Sequence, residues 1–255
     1  MATKIAIINR KGGVGKTTTA INLTAALARN KKRCLIIDLD DQCNTTSALG
    51  FDYNDKTVFD ALVDTDLDNA KLTIYSYDKN IDYVAASQDL ENIEKEMSTH
   101  FSADQKLRLL MYDVETDYDF VIYDCPPSAG LMSRSALLAA DYVLVPHDCG
   151  QFSECGIPKA VSLIKQARMI NRDLKMLGFL LTKFQNTTLC REARETLTTA
   201  YPEYRVLKTT ISNCAALGKT FADHKTIFTW KGNGDPSQGK VDHARLADEI
   251  ISAIQ

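Results

Sequence analysis

The stretch Lys11-Gly12-Gly13-Val14-Gly15-Lys16-Thr17-Thr18 restricts the possible folds more than any other part of the chain. An apolar run, Ile5-Ala6-Ile7-Ile8, leads into it, and a helix-like run, Thr19 to Ala28, leads out. Strand, glycine-rich turn and helix is the context that a phosphate-binding loop requires. Glycines let backbone N–H groups approach phosphate oxygens without a Cβ in the way, and the helix N-terminus adds partial positive charge behind them. Lys16 stands where it reaches the β- and γ-phosphates, and the Thr17 hydroxyl where it ligates Mg²⁺.

Beyond the loop, short apolar runs alternate with helical spacing. Extended segments are expected at Arg33–Asp38, Ile81–Ala86, Asp119–Asp124, Tyr142–Pro146 and Leu177–Thr182, then two short pieces at Tyr204–Leu207 and Thr210–Ile211. Helices are expected at Val58–Val63, Leu131–Ala140, Ile157–Ile170, Leu189–Ala200 and His243–Ile254; Leu90–Tyr112 also reads as helical, with a break near Ser98–Asp104. Residues 41–56 read as polar turns. This alternation implies an α/β fold, a doubly wound, mostly parallel sheet with helices on both faces. No linker, repeat or low-complexity segment divides the chain, so residues 1–255 are expected to form one domain.

Hydrophobic residues make up 45% and charged residues 25%, which excludes a disordered chain. No apolar run approaches the roughly 20 residues of a membrane span, and no signal peptide is expected ahead of the first strand. Seven cysteines without a Cys-x-x-Cys pair are expected as buried thiols in a reducing compartment, not as a zinc site or disulfide framework. The net charge of −3 hides an asymmetry, since Lys159–Lys225 holds 12 lysines and arginines against 5 acids. A basic segment in an acidic chain suggests an anion-binding face.

Lys11 is not needed by an ordinary phosphate loop. With it, the loop resembles the deviant Walker A motif, Lys-Gly-Gly-x-Gly-Lys-Thr, of the ParA/Soj/MinD group of P-loop ATPases. The likeness continues in Asp38-Leu39-Asp40-Asp41-Gln42-Cys43-Asn44, similar to the group's Asp-x-Asp-Pro-Gln-x-Asn, and in Asp124-Cys125-Pro126-Pro127. Asp41 stands where the group has proline.

The resemblance implies a P-loop NTPase fold of the deviant Walker A type, with ATP and Mg²⁺ as cofactors held by residues 11–18 (Lys11, Gly12, Gly13, Val14, Gly15, Lys16, Thr17 and Thr18). Lys11 would reach across an ATP-sandwiched homodimer to the partner's nucleotide, acting with Lys16 and Asp40 in catalysis. From residue types alone Asp124, at the end of an apolar strand, fits an acid that holds Mg²⁺ through water. Residue types leave Asp38 and Asp40 equally suited to positioning the attacking water; the resemblance assigns that role to Asp40, which leaves Asp38 with Thr17 and Asp124 at the metal, or bound to the loop. Thr182 and Lys183 end a strand near where this group reads adenine.

The resemblance weakens after Thr182. The arginines that the group uses for non-specific DNA binding are replaced by Gln185-Asn186-Thr187-Thr188 and Ser212-Asn213-Cys214-Ala215-Ala216. Arg191, Arg194, Lys208, Lys219 and Lys225 surround these positions and are the expected DNA contacts. The implied function is a ParA-type partition ATPase, cytoplasmic and nucleoid-associated, with a ParB-like centromere-binding adaptor that stimulates hydrolysis. A same-fold ATPase that positions a protein cargo is the alternative. A MinD-like membrane switch is not expected, because the end Asp248–Gln255 is not a basic amphipathic tail.

Overall fold

A computed structural model describes residues 1–53, 55–66, 70–149 and 156–254. Eight strands form one sheet: β1 (Thr3–Ile7), β2 (Cys34–Asp38), β3 (Tyr75–Asp78), β4 (Ile81–Val84), β5 (Phe120–Asp124), β6 (Tyr142–Asp148), β7 (Lys175–Phe184) and β8 (Val206–Ser212). Their order is β3-β4-β2-β5-β1-β6-β7-β8, and every pairing is parallel except β3 with β4.

The strands alternate between two cores, one on each side of the sheet. Leu35, Ile37, Val121, Tyr123, Val143 and Val145 point to the first; Ile36, Ile122, Leu144 and Leu180 point to the second. Both faces are covered, which is why these strands read as continuous apolar runs. The first core is closed by α3 (Val58–Val63), α4 (Ile93–Glu96), α5 (Lys106–Leu110), α6 (Leu131–Ala139), α7 (Gly156–Ala167) and α8 (Thr188–Ala200). The second is closed by α1 (Lys16–Arg29), α9 (Ala215–Thr220) and α10 (Ser237–Ile254). The remaining helix, α2 (Asn44–Ala48), follows β2.

Several elements differ from the sequence expectation. β3 was not foreseen. Its half-buried Tyr75 packs 5.1 Å from Phe51 and 5.6 Å from Tyr83, so an aromatic cluster holds a strand that polar residues hide. α2 lies inside the stretch read as turns, because two of its three buried residues, Thr45 and Thr46, bond to carboxylates and only Ala48 joins the apolar core. The two pieces near 204–211 are one edge strand, β8. The N–H groups of Lys208 and Thr209 donate to Glu249 of α10, at 2.9 and 2.8 Å, and this holds the polar middle of the strand extended. The stretch 90–112 breaks into 3₁₀ turns and two short helices. α9 was also missed, and α10 begins at Ser237, earlier than expected. Five of the cysteines are buried and Cys214 is half-buried; Cys155 lies outside the described residues.

Register brings the site together. Asp38 pairs with Asp124 across β2 and β5, and Ile7 pairs with Asp124 across β1 and β5. The loop leaving β1 therefore opens beside both acids, beyond the carboxyl ends of the strands, where open α/β sheets bind ligands.

Candidate active site

The phosphate loop has the backbone its glycines suggest. Gly13 and Gly15 take φ of +72° and +85°, which side chains rarely adopt. Gly15 precedes α1, and Lys16 is that helix's first residue. The loop is tied to its neighbours. Asn9 Nδ2 donates to the Pro146 carbonyl at 2.7 Å, and Asn9 Oδ1 accepts the Lys11 N–H at 3.0 Å. Thr182 Oγ1 donates to the Val14 carbonyl at 2.8 Å. β6 and β7 thus hold both sides of the loop in the shape a phosphate needs.

Lys16 is buried, 7% exposed, and lies close enough to Asp40 and Asp124 for its charge to favour their ionised forms. Asp124 accepts from Thr45 Oγ1 at 2.8 Å on one oxygen, while its other oxygen, Oδ1, is buried with no hydrogen-bond partner. An unpartnered buried carboxylate oxygen costs free energy unless something fills the place. Thr17 stands beside the same carboxyl and favours its ionised form. A hydroxyl and an unsatisfied carboxylate at a phosphate loop fit Mg²⁺, which keeps several waters and takes its remaining ligands from phosphate. Among the described residues no three His, Cys, Asp or Glu side chains form a metal cage, and Mg²⁺ at such a site requires none.

Asp38 is held differently. Its Oδ2 accepts the Thr46 N–H at 2.8 Å and the Thr46 hydroxyl at 2.7 Å, and its Oδ1 accepts the Asp40 N–H at 3.1 Å. The chain itself uses both oxygens, so Asp38 shapes the turn that presents Asp40. Burial pushes the two inner carboxyls up, Asp38 to about 7 with the Asp124 charge adding to it, and Asp124 to about 6. Two buried acids side by side resist full ionisation together, and a divalent cation relieves that. Asp40, 5% exposed, is also raised by burial; its Oδ1 accepts the Gln42 N–H at 3.1 Å.

The first lysine of the loop stands apart from the second. Lys11 Nζ pairs with Asp148, 3.0 Å from Oδ1 and 3.3 Å from Oδ2, at the end of β6. Gly12 is exposed, and a Cβ added there would meet no atom of the chain within 4 Å.

Thr182 and Lys183 border a cavity of about 200 Å³ next to Gly15, Thr18 and Thr19. Its far wall is Ser212-Asn213-Cys214, noted in the sequence only as a departure from the expected arginines. Asn9, Thr45, Thr46 and Asp148 were missed as well. Thr45 and Thr46 directly follow the Asp38–Asn44 motif, so their place was legible; nothing in the sequence pairs Asp148 with Lys11.

The five expected DNA contacts do not share one face. Arg191 and Arg194 lie on α8, over the first core, while Lys219 on α9 and Lys225 belong to the side of the second. Lys208 sits on the edge strand β8 between them. Arg194 Nη1 donates to the Leu207 carbonyl at 2.9 Å, Arg191 Nη2 to Asn186 at 3.0 Å, and Lys219 Nζ to the Asn233 carbonyl at 3.2 Å. The expected patch is therefore a rim that wraps the sheet edge. Among the described residues, no helix is long and apolar enough to cross a membrane.

The family described as AAA domain matches residues 2–176. The sporulation initiation inhibitor protein Soj of Bacillus subtilis (strain 168) is 35% identical over 253 residues, 97% of this chain and 98% of that protein. The chromosome-partitioning ATPase Soj of Thermus thermophilus is 33% identical over 259 residues, 99% of this chain and 96% of its own. Among solved structures, cobyrinic acid a,c-diamide synthase from Mycobacterium smegmatis with bound ADP and magnesium aligns with a TM-score of 0.83 at 28% identity, covering 98% of this chain and 94% of that one.

Proposed function

We propose a partition role for this chain, which belongs to the AAA-domain family and, within it, to the ParA/Soj/MinD group of P-loop ATPases. In this reading residues 1–255 act as one ATP-hydrolysing unit. It forms a homodimer around ATP, binds nucleoid DNA without sequence preference, and hydrolyses slowly until a ParB-like adaptor perfects the geometry. The single observation that carries the reading is the division of labour between two lysines on one loop. Lys16 is buried beside the acids, while Lys11 is held away from them in a part-exposed ion pair with Asp148.

Each residue then has a task. The loop N–H groups and Lys16 hold the β- and γ-phosphates. Thr17 and Asp124 would hold Mg²⁺, whose charge would offset that of the phosphates and of the Asp38 and Asp124 carboxylates. Asp38, through its bond to the Asp40 N–H, keeps the Asp40 carboxylate in place to orient and polarise the attacking water. Lys11 leaves Asp148 and stabilises charge on the partner's nucleotide, a contribution worth about 10³–10⁵-fold in related phosphoryl transfer. The cavity walled by Thr182, Lys183 and Asn213 takes the adenine. A membrane-bound switch is disfavoured because α10 is packed: Leu246, Ala247 and Ile250 are buried and Glu249 is tied to β8.

DNA binding tests the reading. Random duplex DNA should co-sediment with the protein in ATP and Mg²⁺, far less in ADP, and the binding should fall steeply with salt, because a dimer doubles the phosphate contacts of the rim. If the ATP-bound protein ignores DNA even at low salt, the protein-cargo alternative replaces partition.

A further inference from the structure

The segment from Pro126 to Arg134 divides two cavities of opposite charge. On one side lies a cavity of about 300 Å³ with a floor that includes Leu39, Leu90 and Ile93; its rim carries Asp41, Glu91 and Glu94. On the other lies a cavity of about 440 Å³ with the buried Leu163 in its floor and Arg10, Arg134 and Lys159 on its rim. No cation lines the first and no carboxylate the second. Among the described residues, none of these six charges forms an ion pair within the chain. The buried Nε of Arg10 has no hydrogen-bond partner at all. Some of the rim is nevertheless fixed in place. Glu94 Oε1 accepts the Leu131 N–H at 2.9 Å, and Arg134 Nη1 donates to the Ala129 carbonyl at 3.2 Å.

We propose that these cavities are two halves of one self-complementary interface, the acidic cavity of one copy seating against the basic cavity of a second. The inference rests on the ATP-bound dimer of the preceding reading and says how its two copies are oriented. A two-fold interface repeats every contact, so a patch off the axis meets its mate and its mate meets it. If Lys11 reaches the partner's nucleotide, the copies meet on the face that carries Lys11. The basic cavity borders that face, because Arg10 adjoins Lys11 and Gly156, the first residue of the helix that carries Lys159, packs against Lys11; the acidic cavity lies across the shared 126–134 segment from it. Acid against acid and base against base would repel twice per dimer; acid against base attracts twice. Charges at such half-open sites set orientation and exclude wrong partners more than they add affinity. They also connect assembly to chemistry. Asp41 follows the residue assigned to the water, and Pro126 lies two residues past Asp124, so seating the acidic cavity presses on both carboxylate loops.

Charge-reversal variants test this by light scattering with a slowly hydrolysed ATP analogue and Mg²⁺. Glu91, Arg134 and Lys159 are exposed, so reversing them leaves the core untouched. Glu91→Arg alone, and Arg134→Glu with Lys159→Glu alone, should each raise the dimer dissociation constant about tenfold or more. Mixed together, the two variants should form a heterodimer as tight as wild type, because each reversed cavity then meets an opposite one. Homodimers as tight as wild type, or a mixture that stays monomeric while wild type dimerises, would overturn the proposal and release the cavities to other partners. A wild type that binds nucleotide and stays monomeric overturns the dimer reading itself and this inference with it.

Discussion

The strand ends around β1, β2 and β5 and the edge around β8 solve opposite problems. At the strand ends functional groups are held before any ligand arrives. Asn9, Thr182, Thr45 and Thr46 lock the loop and the acids, and the leftover demand is concentrated in one orphaned oxygen of Asp124. At the β8 edge several of the cations are satisfied by their own chain: Arg194 by Leu207, Arg191 by Asn186, Lys219 by Asn233. The first region is preorganised for one small, highly charged ligand. The second is a dispersed rim whose pull on a polyanion depends on how many contacts add up, and so on the number of copies assembled. In the proposed reading nucleotide binding is specified within one chain, whereas turnover and a long anionic partner both call on a second copy.

The largest expected contrast lies within the first region. Lys16→Ala should weaken nucleotide binding by about 100-fold, since it removes a buried charge aimed at phosphate. Asp40→Ala should leave binding near wild type but cut turnover by about 10²–10⁴-fold, the usual worth of a positioned base. Calorimetry of nucleotide binding beside phosphate release separates the two, and wild-type turnover in Asp40→Ala would remove that residue from its assigned role.

A smaller effect distinguishes the two arginines of α8. Arg194→Ala leaves the Leu207 carbonyl without its donor and should cost about 1–2 kcal/mol of stability in urea unfolding. Arg191→Ala gives up only an exposed bond to Asn186 and should cost less than about 0.5 kcal/mol. Equal costs would mean that Arg194 does not hold α8 to β8, and that both arginines are equally free for DNA.

The smallest effect has opposite signs in two parts of the molecule. Asp38 is raised from 3.8 to about 7, so between those values the native state holds more protons than the unfolded chain, and its contribution to stability falls as pH rises. His243, fully buried in α10 with Nδ1 2.8 Å from the Gly239 carbonyl, is lowered from 6.5 to about 4. There the unfolded chain holds more protons, so the His243 contribution is complete above 6.5 and is lost as pH falls toward 4. Melting temperatures of the apo protein across that range should show Asp38→Asn gaining on wild type as pH rises and His243→Gln gaining as pH falls. A gap that does not change with pH in either case would remove burial as the cause there.

The sequence by itself determined the α/β order, the phosphate loop and the acids at two strand ends, because strand, glycine turn and helix are local and their periodicities survive in any context. The identity of Lys11 as a second, outlying lysine was equally legible. Only the tertiary structure decided the rest. It placed Thr45 and Thr46 on the inner carboxylates, turned Asp38 toward the Asp40 backbone, paired Lys11 with Asp148, and gathered Ser212–Cys214 beside Gly15. It also spread the expected cations around the sheet edge, since α8 and α9 pack on opposite cores. Each of these depends on which strands become neighbours. Asp148 lies 137 residues from Lys11, and only the pairing of β1 with β6 brings them together.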